Sequence, residues 1–166
     1  FLYSGSEKIT DIIFWIMGGL GRANWAYVYV LATIVALGSV TLIAFSRDLN
    51  ALSIGEEGAF HLGIDPEMSK RIMLGVATLL TSSAVAFAGT IGFVGLIIPH
   101  IMRLIIGPDH RYLPPATAIA GAVFLVWADM LARTVASPAE MPVGIITAFL
   151  GAPFFLYLLK RKGARM

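Results

Sequence analysis

The feature that most constrains this chain is a series of long apolar runs. Residues 26–46 and 141–159 carry no charge, residues 113–132 carry only Asp129, and residues 72–99 form a longer uncharged run. A helix needs about 20 mostly apolar residues to cross a bilayer. Only 13% of the residues are charged, against about 25% in soluble domains. The sequence therefore predicts an all-α, polytopic transmembrane helical bundle and excludes an ordinary soluble domain.

The run at 72–99 could cross the membrane once or twice, and positive charge decides between these topologies. Cytoplasmic loops collect Lys and Arg. Two crossings, with a reversal near 89–92 where glycine supplies backbone freedom, put nine basic residues on one side. One crossing would put the basic C-terminal tail on the side opposite Arg47. The nine residues are Arg47, Lys70, Arg71, Arg103, Arg111, Lys160, Arg161, Lys162 and Arg165. We therefore predict two crossings.

The resulting architecture is a single domain, 1–166, with an outside N-terminus and a cytoplasmic C-terminus. Its five predicted spans lie at about 26–46, 71–88, 92–106, 113–133 and 142–160. A segment at about 9–20 is apolar but too short to cross, which predicts a short helix at the outer surface or the end of a truncated helix. Tryptophan prefers the membrane interface, and Trp15, Trp25 and Trp127 all fall near the outer face.

The predicted cytoplasmic loop, 47–70, contains an amphipathic segment at 52–65. Ser53 and Glu56 have the spacing of a capping box, Gly63 is expected to end the helix, and Pro66 to prevent its resumption. The segment is either a solvated helix without a partner or a rigid knob presented to a cytoplasmic protein. The residues that the second interpretation would use are Leu52, Ser53, Gly55, Glu56, Glu57, Ala59, Leu62 and Gly63.

Two further features lie within the spans. Asp129 and Arg133 are four residues apart and share one helix face, which predicts a structural ion pair; alternatively, Arg133 emerges outside to meet an acidic partner. Pro99, Pro142 and Pro153 are expected to interrupt helical hydrogen bonding. Such breaks are tolerated where the backbone is buried in protein or lines a cavity.

The sequence carries no motif for chemistry. It has no cysteine, which excludes disulfides and thiolate sites. His61, His100 and His110 lack ligand spacing, so we predict no metal site. Neither a phosphate-binding loop nor a Ser-His-Asp set occurs. We expect no catalytic site, and any ATP chemistry must come from another chain.

Several segments match one known family in order and spacing. They are Trp15–Gly19, Leu49–Glu57, His61–Ile64, Gly89–Leu104, Gly107–Pro115, Ala128–Arg133, Ala139–Ala148 and Gly151–Phe155. Over essentially its whole length, the chain resembles the FecCD permeases of type II ABC importers. These carry iron–siderophore complexes, haem or cobalamin. The resemblance covers only the last five of the family's ten helices, and the chain lacks an initiator Met. We therefore expect a piece of a longer permease.

The resemblance implies partners and residue roles. A second, identical or similar permease subunit completes a central pathway, cytoplasmic ABC ATPases bind ATP and Mg²⁺, and an extracytoplasmic binding protein delivers substrate. The location implied is the cytoplasmic (inner) membrane of a prokaryote. The segment from Gly55 to Gly63 would be the coupling helix seated in the ATPase. Arg133 would meet an acid on the binding protein. The stretch from Pro142 through Gly144 to Phe155 would help to line the pathway.

Three other interpretations remain open at this point. A zinc or manganese ABC permease would place ligands along the pathway, where the spans offer little beyond His100 and Asp129. An ion-coupled secondary transporter predicts carboxylates near the midplane, whereas Asp129 lies near a span's end. The third is a truncated subunit with a role only in assembly. The choice among siderophore, haem and cobalamin also stays open, as do the organism and whether the permease pairs with itself.

Overall fold

The computed structural model describes residues 15–21, 23–135 and 141–163, and every regular element in these ranges is helical. The predicted all-helical bundle is confirmed. A helical turn at 15–17 precedes seven helices. Of the outer helix predicted at about 9–20, residues 9–14 lie outside the described residues and residues 18–20 are not helical. The helices are α1 (Trp25–Ala44), α2 (Ser46–Leu52), α3 (Glu56–His61), α4 (Pro66–Ala88), α5 (Val94–Ile106), α6 (Leu113–Val135) and α7 (Val143–Gly163).

Two helix starts follow directly from local sequence. The Asn24 side chain accepts a hydrogen bond from the Tyr27 backbone N–H at 2.9 Å and so caps α1. The Asp65 carboxylate accepts from the backbone N–H groups of Glu67 and Met68 at 3.0 and 3.1 Å. Pro66 follows as the first residue of α4, where its missing N–H costs nothing. Pro66 therefore starts a helix, whereas we expected it only to keep one from resuming.

Helices α1 and α4 pack as an antiparallel pair. The Tyr27 ring near the start of α1 lies 5.0 Å, centroid to centroid, from the Phe87 ring near the end of α4. Midway along, the Leu80 side chain fills the space beside the buried Gly38, where a Cβ would clash with it. Together with α6, these are the three described helices that are long and apolar enough to cross a membrane.

The link between α4 and α5 packs against the bundle and is not helical. Helix α4 ends at Gly89, which has a φ of 71°. Phe93 then adopts a left-handed φ of 66°, and its side chain occupies the space beside Gly151 of α7. Helix α5 has only 13 residues, so it rises about 20 Å, less than the roughly 30 Å of hydrocarbon. The extended link therefore supplies part of the length predicted for the third span.

One end of the bundle is a close junction of backbones. The Gly19 N–H donates to the Ala88 carbonyl at 2.9 Å, and the Thr90 hydroxyl donates to the Ile16 carbonyl. The turn at 15–17 therefore lies against the end of α4.

The start of α7 completes this junction. Val143 packs with the buried Ala128 and Ala132 near the end of α6, and Gly144 lies directly against the Met17 carbonyl. The opposite end holds α2, α3 and the turn between α5 and α6. We call the first end the glycine-junction end and the second the α2–α3 end.

Gly144→Ala should lower the free energy of unfolding by about 1–3 kcal/mol, the usual cost of overpacking. The added Cβ would overlap the Met17 carbonyl oxygen. Gly121→Ala, within α6, is the matched control, since no neighbour lies within 4 Å of its added Cβ. Thermal unfolding in detergent, followed by tryptophan fluorescence, compares the two variants. Equal midpoints for both would contradict the packing described for Gly144.

Candidate functional site

An apolar knob projects at the α2–α3 end. Ile54, Phe60 and Leu62 are strongly exposed, with Phe60 at 69%, although they lie outside the apolar spans. Ala59 on the opposite side of α3 is fully buried, and its carbonyl accepts the Ile64 N–H at 3.1 Å. Exposed apolar patches on otherwise polar surfaces mark interaction sites. We call Ile54, Phe60 and Leu62 the α3 knob.

The predicted short helix within 52–65 forms as α3 and ends before Gly63, but its predicted start at Ser53 is wrong, because Leu52 and Ser53 belong to the end of α2. Ser53 is not an N-cap: its hydroxyl donates to the Asn50 carbonyl at 2.6 Å, and α3 instead begins after Gly55 without a side-chain cap. Gly55 and Gly63 take φ values of 128° and 78°, which L side chains rarely adopt. These glycines allow the sharp turns on either side of α3.

The other residues predicted for coupling divide between surface and support. Glu56 is ion-paired with Lys70 at the start of α4, and this pair ties α3 to the rest of the bundle. Glu57 is exposed, whereas Leu52 is half-buried. The buried Ala59 supports the knob from inside. Sequence analysis missed Ile54 and Phe60 as surface residues, although an apolar residue in a loop between predicted spans was the available signal.

Helix α2 is fastened on two sides. The Ser69 hydroxyl of α4 donates to Asp48 Oδ2 at 2.8 Å. On the other side, Asn50 Nδ2 donates to Asp109 Oδ1 at 2.7 Å. Asn50 Oδ1 accepts the His110 backbone N–H at 2.9 Å and lies 2.8 Å from His110 Nδ1. We call Asn50, Asp109 and His110 the Asn50 clamp.

The clamp shifts the ionisation of both titratable members. The backbone N–H of Arg111 and the Asn50 amide lower the pKa of Asp109, because both donate to its charged form. Burial lowers the pKa of His110, and the nearby positive charge of Arg103 adds to the effect against a smaller opposing one from Asp109. The clamp therefore favours an ionised Asp109, whereas burial and Arg103 favour a neutral His110.

At the glycine-junction end, Asp129 and Arg133 form an ion pair. Arg133 Nε lies 2.8 Å from Asp129 Oδ2, and Nη2 lies 3.4 Å from Oδ1. The Arg133 side chain is 58% exposed but that of Asp129 only 20%. Asp129 thus binds the Nε side of the guanidinium, while the Arg133 side chain as a whole stays exposed.

The residues that follow two helix prolines bring α5 and α7 together. Pro99 lies inside α5 and Pro153 inside α7, and the adjacent His100 and Phe154 rings meet edge to face at 6.0 Å. The expectation that Pro142 breaks a helix is wrong: it is buried just before α7 begins, and its carbonyl accepts the Ile145 N–H. Among the residues that the structure describes, no three His, Asp or Glu side chains converge as metal ligands.

The lowered pKa of His110 predicts an acid-sensitive fold. Folding favours the neutral ring, so its contribution is present above the ordinary pKa of about 6.5 and is lost as pH falls through the lower folded-state pKa. The contribution from Asp109 persists until pH falls below about 3.8.

We expect a fall in the thermal unfolding midpoint between pH 7.5 and 5.5, and His110→Gln should reduce that fall. His61→Gln, at an exposed position on α3, is the control and should leave it unchanged. Equal pH dependence in the wild type and His110→Gln would contradict the prediction.

Comparison with known proteins identifies the family to which this chain is similar. The FecCD transport family profile matches residues 1–161. The cobalamin import system permease protein of Halobacterium salinarum is 51% identical, over 98% of this chain and 43% of its own length. The hemin transport system permease protein of Yersinia pestis is 41% identical, over 96% of this chain and 48% of its own.

A solved metal-chelate type ABC transporter in an inward-facing conformation superposes with a TM-score of 0.85 at 36% identity, over 93% of this chain and 50% of that one. The chain thus spans about half the length of these relatives. Its apolar helices and these matches make it a multi-pass membrane protein. The chain belongs to the FecCD transport family.

Proposed function

We propose that this chain is the C-terminal half of a permease subunit in an ATP-driven ABC importer. The cargo would be an iron–siderophore, haem or cobalamin-type chelate. Two relatives are named for cobalamin and hemin transport, and the similar solved structure is a metal-chelate transporter. The single observation that carries the proposal is the exposed α3 knob. The knob rests on α2 at one end of a bundle that is otherwise embedded in the membrane.

The α2–α3 end is the proposed cytoplasmic side. Its basic residues are Arg47, Lys70, Arg71, Arg103, Arg111 and Lys160. Lys and Arg concentrate in cytoplasmic loops. Lys8, Arg22 and Arg165 lie outside the described residues. Helix α7 begins at the opposite end and runs beside α5, which supports a cytoplasmic C-terminus in a prokaryotic inner membrane.

The α3 knob is the proposed docking element for a separate ABC ATPase, which holds ATP and Mg²⁺ and hydrolyses the nucleotide. This chain contributes no catalytic group. Buried Ala59 and the Glu56–Lys70 ion pair fix α3 to the bundle, so a force on the knob moves helices rather than a loop. Transport requires the ATPase to bind two permease conformations with different affinity.

Arg133 is the proposed contact for the extracytoplasmic binding protein, and a second permease subunit completes the pathway. Asp129 holds the Nε side of the guanidinium, so an acidic residue on the binding protein would meet the outward edge. Arginine can engage two carboxylates in this way because its five donors lie in one fixed plane.

The side-chain geometry disfavours a zinc or manganese permease. Of the two ligand candidates in the spans, the His100 ring packs against Phe154 and Asp129 is paired with Arg133. The Asp129–Arg133 pair lies in the last turns of α6, near an end of the bundle. This position disfavours Asp129 as a midplane ion site of a secondary transporter. Substrate uptake is measured in cells that lack the permease, before and after the gene for this chain is added. Restored uptake indicates a transporting subunit, and unrestored uptake indicates a subunit with only an assembly role.

Phe60→Asp should weaken capture of the cognate ATPase at least about tenfold, because exposed aromatic residues are frequent hot spots of protein interfaces. Tyr112→Asp is the matched control: Tyr112 is an equally exposed aromatic residue at the same end, in the turn before α6. Co-purification from membranes measures capture, with membrane insertion verified for each variant. Full capture by Phe60→Asp, or equal loss in the control, would contradict ATPase docking on the knob.

Arg133→Glu should lower affinity for the substrate-loaded binding protein at least about tenfold, because like charges across an interface repel. Reversal of the facing acid to lysine should restore binding. Arg111→Glu, at the opposite end of the bundle, should leave it unchanged. Binding to the importer in nanodiscs provides the measurement, and unaltered affinity for Arg133→Glu would refute the contact.

A further inference from the structure

We infer that Asn50 is a positioning residue that transmits ATPase-driven movement from the α2–α3 unit to the turn between α5 and α6. The inference rests on the proposed function and adds to it a specific mechanical connection. The α3 knob lies on the α2–α3 unit, so docking on α3 can shift α5 only through contacts that join this unit to the rest of the bundle. The Asn50 clamp is a direct, multiply bonded contact of that kind.

The clamp uses both ends of one amide. Asn50 Nδ2 donates to the Asp109 carboxylate at 2.7 Å, while Asn50 Oδ1 accepts the His110 backbone N–H at 2.9 Å and meets His110 Nδ1 at 2.8 Å. A side-chain amide can donate to a carboxylate and accept from N–H groups at once, because it carries an NH₂ donor and a carbonyl acceptor. The contacts join residues 59 and 60 positions apart in a half-buried setting.

Through its side chain, Asn50 binds the turn that joins α5 and α6. Asp109 Oδ1 also accepts the Arg111 N–H at 2.9 Å, and the Asp109 carbonyl accepts the Leu113 N–H at 3.0 Å, where α6 begins. Gly107 ends α5 just before, with a φ of 89°. A displacement of Asn50 therefore moves the end of α5 and the start of α6 together.

On the near side, Asn50 lies in the last turn of α2, beside the link to the knob. The Ser53 hydroxyl donates to the Asn50 carbonyl at 2.6 Å, which stiffens the chain leading to α3. The other fastening of α2 is the single Ser69–Asp48 hydrogen bond to α4. Together with the Glu56–Lys70 pair, this bond joins the α2–α3 unit to α4. The three polar contacts of Asn50 join the same unit to the turn that follows α5, and His100 of α5 packs on Phe154 of α7.

The test uses the assembled importer that contains this chain, reconstituted in proteoliposomes with its ATPase and binding protein. Asn50→Ala should leave ATPase capture within about twofold of the wild type, because the knob is unchanged. Substrate transported per ATP hydrolysed should fall about 5–150-fold, the range of typical coupling between sites. Arg111→Ala is the control: it removes a side chain from the same turn but keeps the backbone N–H that Asp109 accepts.

A polarity swap guards against a simple folding defect. Asn50→Asp sets a carboxylate against Asp109 and should uncouple transport. Adding Asp109→Asn supplies a new amide donor at position 109, so N50D/D109N should recover most of the coupling that N50D loses.

The outcomes separate the inference from the proposed function. Coupling retained in Asn50→Ala, capture and transport lost in parallel, or no recovery in the swap would each overturn the role of Asn50 while the wild type still captures its ATPase and transports. A wild type that captures no ATPase would overturn the proposed function, and the inference with it.

Discussion

The structure depends on one constraint: without water, every backbone polar group in the bilayer core needs a partner within the protein. Most of the chain meets it with helices. The link from Gly89 to Phe93 meets part of it with local hydrogen bonds: the Gly92 carbonyl accepts the Val94 N–H, and the Phe93 carbonyl accepts the N–H groups of Leu96 and Ile97. The Gly89 N–H bonds back to the Val85 carbonyl, and the neighbouring turn at 15–17 supplies a carbonyl for the Thr90 hydroxyl. Small residues at this junction let three backbones approach, so glycine there is a packing requirement.

In the proposed importer, the two ends of the bundle serve different partners. The glycine-junction end presents Arg133, held from below by Asp129. The α2–α3 end presents an apolar knob on a support with polar fastenings to α4 and to the turn before α6. The proposed importer needs a rigid support at the surface and an interrupted helix α5 inside. Movement applied at the knob must reach the pathway without being absorbed locally.

Sequence patterns predicted those features that depend on neighbours within a few residues. Uncharged runs located the helices, and the four-residue spacing of Asp129 and Arg133 brought their side chains together. Local patterns failed where tertiary contacts compete. Ser53 has the spacing of a cap but bonds back to Asn50. The Asn50 clamp had no signal in the sequence, because its partners lie 59 and 60 residues away.

In the proposed importer, the α3 knob faces the cytoplasm and Arg133 lies on the opposite side of the membrane. The sequence has no cysteine, so single-cysteine variants can report sidedness directly. Glu57→Cys and Thr134→Cys place thiols at exposed positions beside the knob and beside Arg133. With a membrane-impermeant maleimide, spheroplasts should label only Thr134→Cys, and inside-out vesicles only Glu57→Cys. Labelling of both from one side, or the reverse pattern, would contradict the account.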